Sequence, residues 1–177
     1  KISKQTKAII CVHLGGLPCE MDQIISLAKE SNIYVIEDCA QAHGALYKQK
    51  SVGNLGDVAA WSFCQDKIMT TGGEGGMVTT NNKALRNKMQ SYKDHGKNLS
   101  LISKPQKTVG FKWMHDSFGT NFRMTEMQSA IGRVQLTKME NWNKKRRENA
   151  QHLINTFYDF EDLIEVPEVP DYMNHAF

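Results

Sequence analysis

Two short apolar runs, residues 7–14 (KAIICVHL) and residues 33–38 (IYVIED), flank a stretch of a different period. The runs are rich in β-branched residues and do not alternate with polar ones, the pattern of strands buried on both faces. Between them Met21, Ile24, Ile25, Leu27 and Ala28 fall mostly on one face of a helix over residues 20–31. Gly15, Gly16 and Pro18 break the first run, and Asn32 ends the helix. Strand, helix and strand in so short a space form a βαβ unit, with parallel strands and a right-handed crossover. That requirement sets the class as α/β. In open parallel sheets ligands collect beyond the carboxyl ends of the strands, and Asp38 stands at such an end.

The rest of the chain continues the alternation. Residues 57–63 (DVAAWSF) are expected to form a strand with Ser62 at its exit, and residues 76–80 (GMVTT) a further one. Asn81 and Asn82 supply a turn or an N-cap for a helix over residues 83–92. Residues 93–119 lack periodicity and hold Gly96, Pro105, Gly110 and Gly119, as functional loops often do. A long helix is expected over residues 125–160, its apolar positions including Met127, Ile131, Val134 and Trp142. Thr125 can cap it, with Gln128 completing a capping box. Residues 161–177, with Pro167 and Pro170, look like a linker. The expected architecture is a mainly parallel or mixed sheet flanked by helices, occupying residues 1–160.

Several function classes are disfavoured. At 177 residues the chain suits one core, and 40% hydrophobic with 23% charged residues is the composition of a globular protein. A net charge of +3 without a long basic block points to neither nucleic acid nor an acidic membrane surface. The quartet at residues 144–147 (KKRR) lies inside a helical pattern and suits a solvated face. Cys11, Cys19, Cys39 and Cys64 show no CxxC spacing, so no metal site is expected. Reduced thiols and the lack of any apolar run of membrane-spanning length suggest the cytoplasm. The chain starts almost directly in a strand and without methionine, so it is expected to be a piece of a longer protein.

The chemistry gathers around residues 61–76 (WSFCQDKIMTTGGEGG), where one lysine, Lys67, lies between an apolar run and a glycine-rich turn. Asp38 and Lys67 each follow a strand, so both can face one crevice. A pyridoxal phosphate (PLP) enzyme needs such a pair: a lysine to hold the cofactor and an acid at the ring nitrogen. It also needs donors for the phosphate, and Ser62 and the glycines from Gly72 to Gly76 are available. The TTGGEGG run matches neither the GxxxxGK[ST] nor the GxGxxG nucleotide pattern. By spacing alone, a turn aspartate and a solvated lysine are the commoner outcome.

Four blocks change the weighting: EDCAQAHG, VGNLGDVAAWSF, DKIMTTGGEGGMVTTN and GTNFRMTEMQSAIGRVQL. In this order they resemble the DegT/DnrJ/EryC1/StrS family of PLP-dependent sugar aminotransferases. The resemblance implies a fold type I, aspartate-aminotransferase-like large domain, incomplete over residues 1–160, with residues 161–177 leading toward a C-terminal small domain. It implies that Lys67 holds the cofactor covalently, that Asp38 sits at the pyridine nitrogen, and that Gln41 lies near the phenolic oxygen. Ala40 is then the small residue against the ring, and Ser62 a phosphate ligand. Asn121 is implied to reach the phosphate of a neighbouring subunit, which makes the active site shared across a homodimer. His43 and Glu74 belong to the motifs without an assigned role. The implied substrates are a nucleotide-linked keto-deoxysugar and, as amino donor, glutamate. A dehydratase or lyase on the same fold, or a non-catalytic relative, are the alternatives; retention of Lys67 favours transamination.

Overall fold

The apolar run after Lys7 forms β1 (Ala8–Val12), and Gly15 and Gly16, both at positive φ, turn the chain away from it. Helix α1 (Met21–Glu30) follows. Its Met21 and Ala28 are buried, and with Ile24 and Ile25 they join one core cluster with Cys11, Val35, Tyr47 and Met173. Asn32 ends the helix at a φ of 52°, a left-handed conformation that asparagine tolerates better than most residues. Strand β2 (Tyr34–Asp38) then pairs with β1 in parallel, as the βαβ pattern requires.

A small hairpin, β3 (Leu46–Tyr47) and β4 (Lys50–Ser51), leads to β5 (Val58–Ser62) and β6 (Gly76–Thr79). The main sheet has the order β1-β2-β5-β6. Strands β2 and β5 are parallel, while β6 returns antiparallel to β5, so the sheet is mixed and mainly parallel. Asn82 caps α2 (Lys83–Lys93), its side chain accepting the N–H groups of Ala84 and Leu85. A single turn, α3 (Leu99–Ile102), lies in the segment expected to be irregular.

The long helix α4 (Glu126–Phe157) begins at the expected capping box: Thr125 accepts the Gln128 N–H, and Gln128 Oε1 accepts the Thr125 N–H at 3.0 Å. Met127, Ile131, Val134 and Leu136 of this helix are exposed, although their periodicity suggests a core-facing stripe. Only Gly132 and Asn143 of α4 are buried.

The structure is a computed structural model that describes residues 1–105 and 114–177; Gly110 lies outside the described residues. Within residues 161–177, expected as a linker, a short strand forms, β7 (Met173–Asn174). It pairs antiparallel with β3, and Met173 and Ala176 are buried in the two core clusters. Apolar side chains at the far end of a proline-marked segment are enough to dock it. Among the described residues no helix is long and apolar enough to cross a membrane.

Candidate functional site

The parallel register sets Val12, Asp38 and Ala60 side by side at the carboxyl ends of β1, β2 and β5. Asp38 therefore closes β2 close to the level at which Ser62 closes β5. The Asp38 Oδ1 accepts the Ala40 N–H at 3.0 Å, and its Oδ2 has no partner among the described residues. Ala40 follows, half-buried. Gln41 is exposed, and its Oε1 accepts the Gly15 N–H at 2.7 Å. That bond fixes the amide so that Nε2 remains available to donate.

Beyond β5 the chain turns tightly. The Lys67 N–H reaches the Cys64 carbonyl at 3.2 Å, and the Thr71 N–H reaches the Phe63 carbonyl at 3.1 Å. Ser62 Oγ accepts the Cys64 N–H at 3.4 Å, which leaves its hydroxyl proton uncommitted. The Lys67 side chain is 20% exposed, and its Nζ lies 3.6 Å from the Asp66 carboxylate. A bond from Cys64, then the charge of Lys67, hold the Asp66 carboxyl below its ordinary range. Among the described residues Lys67 forms no ion pair with Asp38. Asp38 and Ser62, each with unused hydrogen-bonding capacity, close two adjacent parallel strands, and Lys67 follows in the turn beyond β5.

Lys67, Ile68 and Thr70 also form one wall of a cavity of about 420 Å³, the opposite wall being Gln135, Trp142, Lys145, Arg146 and Asn149 of α4. A larger cleft of about 540 Å³ lies between α2 and residues 97–100 and 116–118. None of the expected site residues lines that second cleft.

His43 is 2% exposed and lies against the rings of Trp61 and Phe63, at centroid distances of 5.5 and 5.9 Å. Neither ring nitrogen has a hydrogen-bond partner among the described residues. Burial pushes its pKa down; the Ser62 backbone opposes this and the charge of Lys67 adds to it. Glu74 contributes its backbone: its carbonyl accepts Thr71 Oγ1 at 3.1 Å and Gln128 Nε2 at 2.6 Å. The glycine-rich turn is thereby tied to the first turn of α4.

Asn121 stands apart. It bridges to Asp94 beside the end of α2, and its Oδ1 accepts the Arg123 Nε–H at 3.0 Å. Among the described residues it makes no hydrogen bond with Asp38, Ser62 or Lys67.

Sequence reasoning misses Glu37, which is fully buried. Its Oε1 accepts the N–H groups of Leu55 and Gly56 at 2.9 and 2.6 Å, and its Oε2 accepts Gly53 N–H at 2.7 Å and His13 Nε2–H at 3.0 Å. A signal is available: Glu37 lies in the same apolar strand as buried Val35, two positions on, and an acid facing a core needs partners. His13, Glu37 and Cys39 offer ligand atoms within 4.8 Å of one another. Yet His13 Nδ1 accepts the Cys19 N–H at 3.0 Å while Nε2 donates to Glu37, so both ring nitrogens are committed. The arrangement is a hydrogen-bond network that shapes the turn before β5.

The model of the DegT/DnrJ/EryC1/StrS aminotransferase family matches residues 1–177. The chain is 45% identical over 150 residues to the GDP-perosamine synthase of Escherichia coli O157:H7, covering 85% of this chain and 38% of that protein. It is 38% identical over 183 residues to the dTDP-3-amino-3,6-dideoxy-alpha-D-galactopyranose transaminase of Aneurinibacillus thermoaerophilus, covering 99% and 45%. Its fold superposes on the X-ray structure of the aminotransferase from Psychrobacter cryohalolentis with a TM-score of 0.95 at 52% identity, covering 99% of this chain and 46% of that one. The chain thus spans less than half the length of these relatives.

Proposed function

The chain belongs to the DegT/DnrJ/EryC1/StrS aminotransferase family, and from that premise we propose that the complete protein is a PLP-dependent aminotransferase acting on a nucleotide-linked keto-deoxysugar, with glutamate as amino donor. The observation that supports this reading is that Asp38 and Ser62 close adjacent parallel strands and Lys67 follows in the turn beyond β5. PLP, when bound, supplies the electron sink that lets an amino group pass between a donor and a keto carbon. Asp38 would hold the pyridine nitrogen through a carboxylate that the Ala40 N–H fixes. Gln41, oriented by Gly15, would donate to the phenolic oxygen from Nε2, and Ala40 would be the small residue beside the ring. Ser62 would donate its hydroxyl to the phosphate. Lys67 would hold the cofactor through Nζ, and its amine is the group that would serve as base and acid there.

Asn121 acts in trans, on the phosphate bound by the second subunit of a homodimer. That its partners among the described residues are Asp94 and Arg123, and none of the other site residues, supports that assignment. So does the run of exposed apolar residues near it, Phe118, Phe122, Met127 and Ile131, which suits a subunit interface. Residues 1–160 form part of the large domain, to which the end of residues 161–177 is docked through β7 and Ala176. Free thiols at Cys11, Cys19, Cys39 and Cys64 support the cytoplasm as its compartment.

The test is the absorption spectrum of the complete protein with PLP, beside that of a Lys67→Ala variant. A visible band of lysine-bound PLP, present in the first and lost in the second, is expected, together with its bleaching by glutamate. A folded protein that gives no such band refutes the proposal.

A further inference from the structure

The Gln41 side chain is exposed, and among the described residues its one hydrogen bond joins Oε1 to the Gly15 N–H at 2.7 Å. A long polar side chain in solvent gives up its rotamer freedom only as far as its partner is itself held. That partner stands in a Gly15–Gly16 turn, with φ values of 63° and 96°. Glycine enters such conformations without strain and leaves them as easily, so the pair does not set its own shape. The turn has to be fixed from outside.

Two sets of contacts fix it. Toward the sheet, the His13 N–H donates to the Asp38 carbonyl and the Gly16 N–H to the His13 carbonyl, each at 3.1 Å. From residues 173–177 comes Ala176, fully buried, whose N–H donates to the Gly16 carbonyl at 3.0 Å. The approach is close: a Cβ placed on Gly16 would lie 3.0 Å from the Ala176 Cβ and 3.1 Å from the Gln41 carbonyl oxygen. Gly16 is thus clasped between the backbone of Gln41 and the methyl of Ala176. Ala176 is held in turn by α4. Arg147 Nε donates to the His175 carbonyl at 3.1 Å while its Nη2 reaches the Gly44 carbonyl at 2.8 Å, and Arg146 Nε donates to the Phe177 carbonyl. A segment docked only by apolar contact needs no such bonds; here they secure the backbone on both sides of Ala176.

We propose that Ala176 is a positioning residue for Gln41, acting through Gly16 and Gly15. The assignment rests on the aminotransferase reading above, in which Gln41 Nε2 would meet the phenolic oxygen of the cofactor. Displacing the Ala176 methyl moves Gly16, turns the Gly15 N–H and so re-aims the Gln41 amide. Close-packed contacts transmit such a displacement rather than absorb it, and a hydrogen bond weakens steeply as its angle departs from linear. Residues 173–177, expected as a linker, thereby become part of the scaffold of the site.

The visible PLP band of the complete, cofactor-loaded protein tests it, because a donor at the phenolic oxygen alters the electronics of the ring. Gln41→Leu should shift the band. Ala176→Val, which overfills the contact with Gly16, should shift it in the same direction. In the Gln41→Leu background Ala176→Val should add nothing, the non-additivity of residues that act through one another. Ala176→Gly removes the methyl and keeps the N–H; it should give a smaller shift of the same sign, and it decides the matter where the valine variant does not fold. An unmoved band in the folded Ala176 variants, or an equal shift in the Gln41→Leu background, overturns the role of Ala176. A Gln41→Leu band identical to the parent's refutes the placement of Gln41, and the role of Ala176 with it. Absence of the band from the parent protein refutes the aminotransferase reading itself.

Discussion

His13 Nε2 donates to Glu37 Oε2 at 3.0 Å with both side chains fully removed from solvent. Burial works to raise the Glu37 pKa, but the bond from His13 and those from the Gly56, Gly53 and Leu55 N–H groups outweigh it and hold the carboxyl below its ordinary value of 4.5. The carboxylate is thus the anchor for three backbone groups of residues 53–56, which lead into β5. Glu37→Ala strands these donors and should cost about 3 kcal/mol or more of stability, measured by denaturant unfolding. A group with a lowered native pKa contributes stability in full above its ordinary value and loses it as pH falls through the native pKa. Glu37→Gln should therefore flatten the acid limb of the stability–pH curve.

Two histidines give a second pH signature, of a different range. Burial, deep for His43 and partial for His175, lowers the pKa of both below the ordinary 6.5. The unfolded chain then binds protons that the native chain refuses, so their contribution is complete above that ordinary value and declines below it. Ring-proton NMR titration should place the His43 midpoint below 6.5, and His43→Phe should weaken the decline.

At the start of α4, Gln128 serves two elements at once: it closes the capping box with Thr125 and donates to the Glu74 carbonyl. Thr125→Ala should lower stability by about 1 kcal/mol through loss of the cap alone. Gln128→Ala should cost more than that, and in hydrogen exchange it should also loosen residues 72–76. An equal effect of the two substitutions on that turn would show that the Glu74 bond carries no weight.

In the complete protein, Asp38→Asn removes the charge proposed to stand at the pyridine nitrogen. Turnover should fall about 10²-fold or more, while the amide oxygen of the substituted side chain can still accept the Ala40 N–H and so keep the fold. Unfolding curves matching those of the parent, alongside the lost turnover, will separate the two roles.

Periodicity carries most of the fold. The residues of β1, α1 and β2 announce themselves because strand and helix periods differ, and Asn82 and Thr125 mark helix starts by their own capping chemistry. The two-residue strands β3, β4 and β7 are too short to show a period, and β7 depends on a distant partner, Tyr47 for Met173. The site divides in the same way. Asp38, Ser62 and Lys67 stand out through their places at strand ends and in motif blocks. The contact of Ala176 with Gly16 leaves no mark in the sequence, because a linear pattern does not tell what a distant segment touches. Glu37 is concealed by its setting among apolar neighbours, where its two-residue spacing from Val35 is the only clue.

The bond from Arg147 to the Gly44 carbonyl spans 103 residues. Closing a chain of that length costs on the order of 4 kcal/mol of entropy, whereas β1, α1 and β2 assemble from near neighbours. Folding order should follow: the sheet with its Asp38 and Ser62 ends first, and the α4 wall last. Truncating Arg147 should accordingly quicken unfolding far more than it slows folding. The cavity facing Lys67 is then the latest part of the molecule to exist, and the first to open.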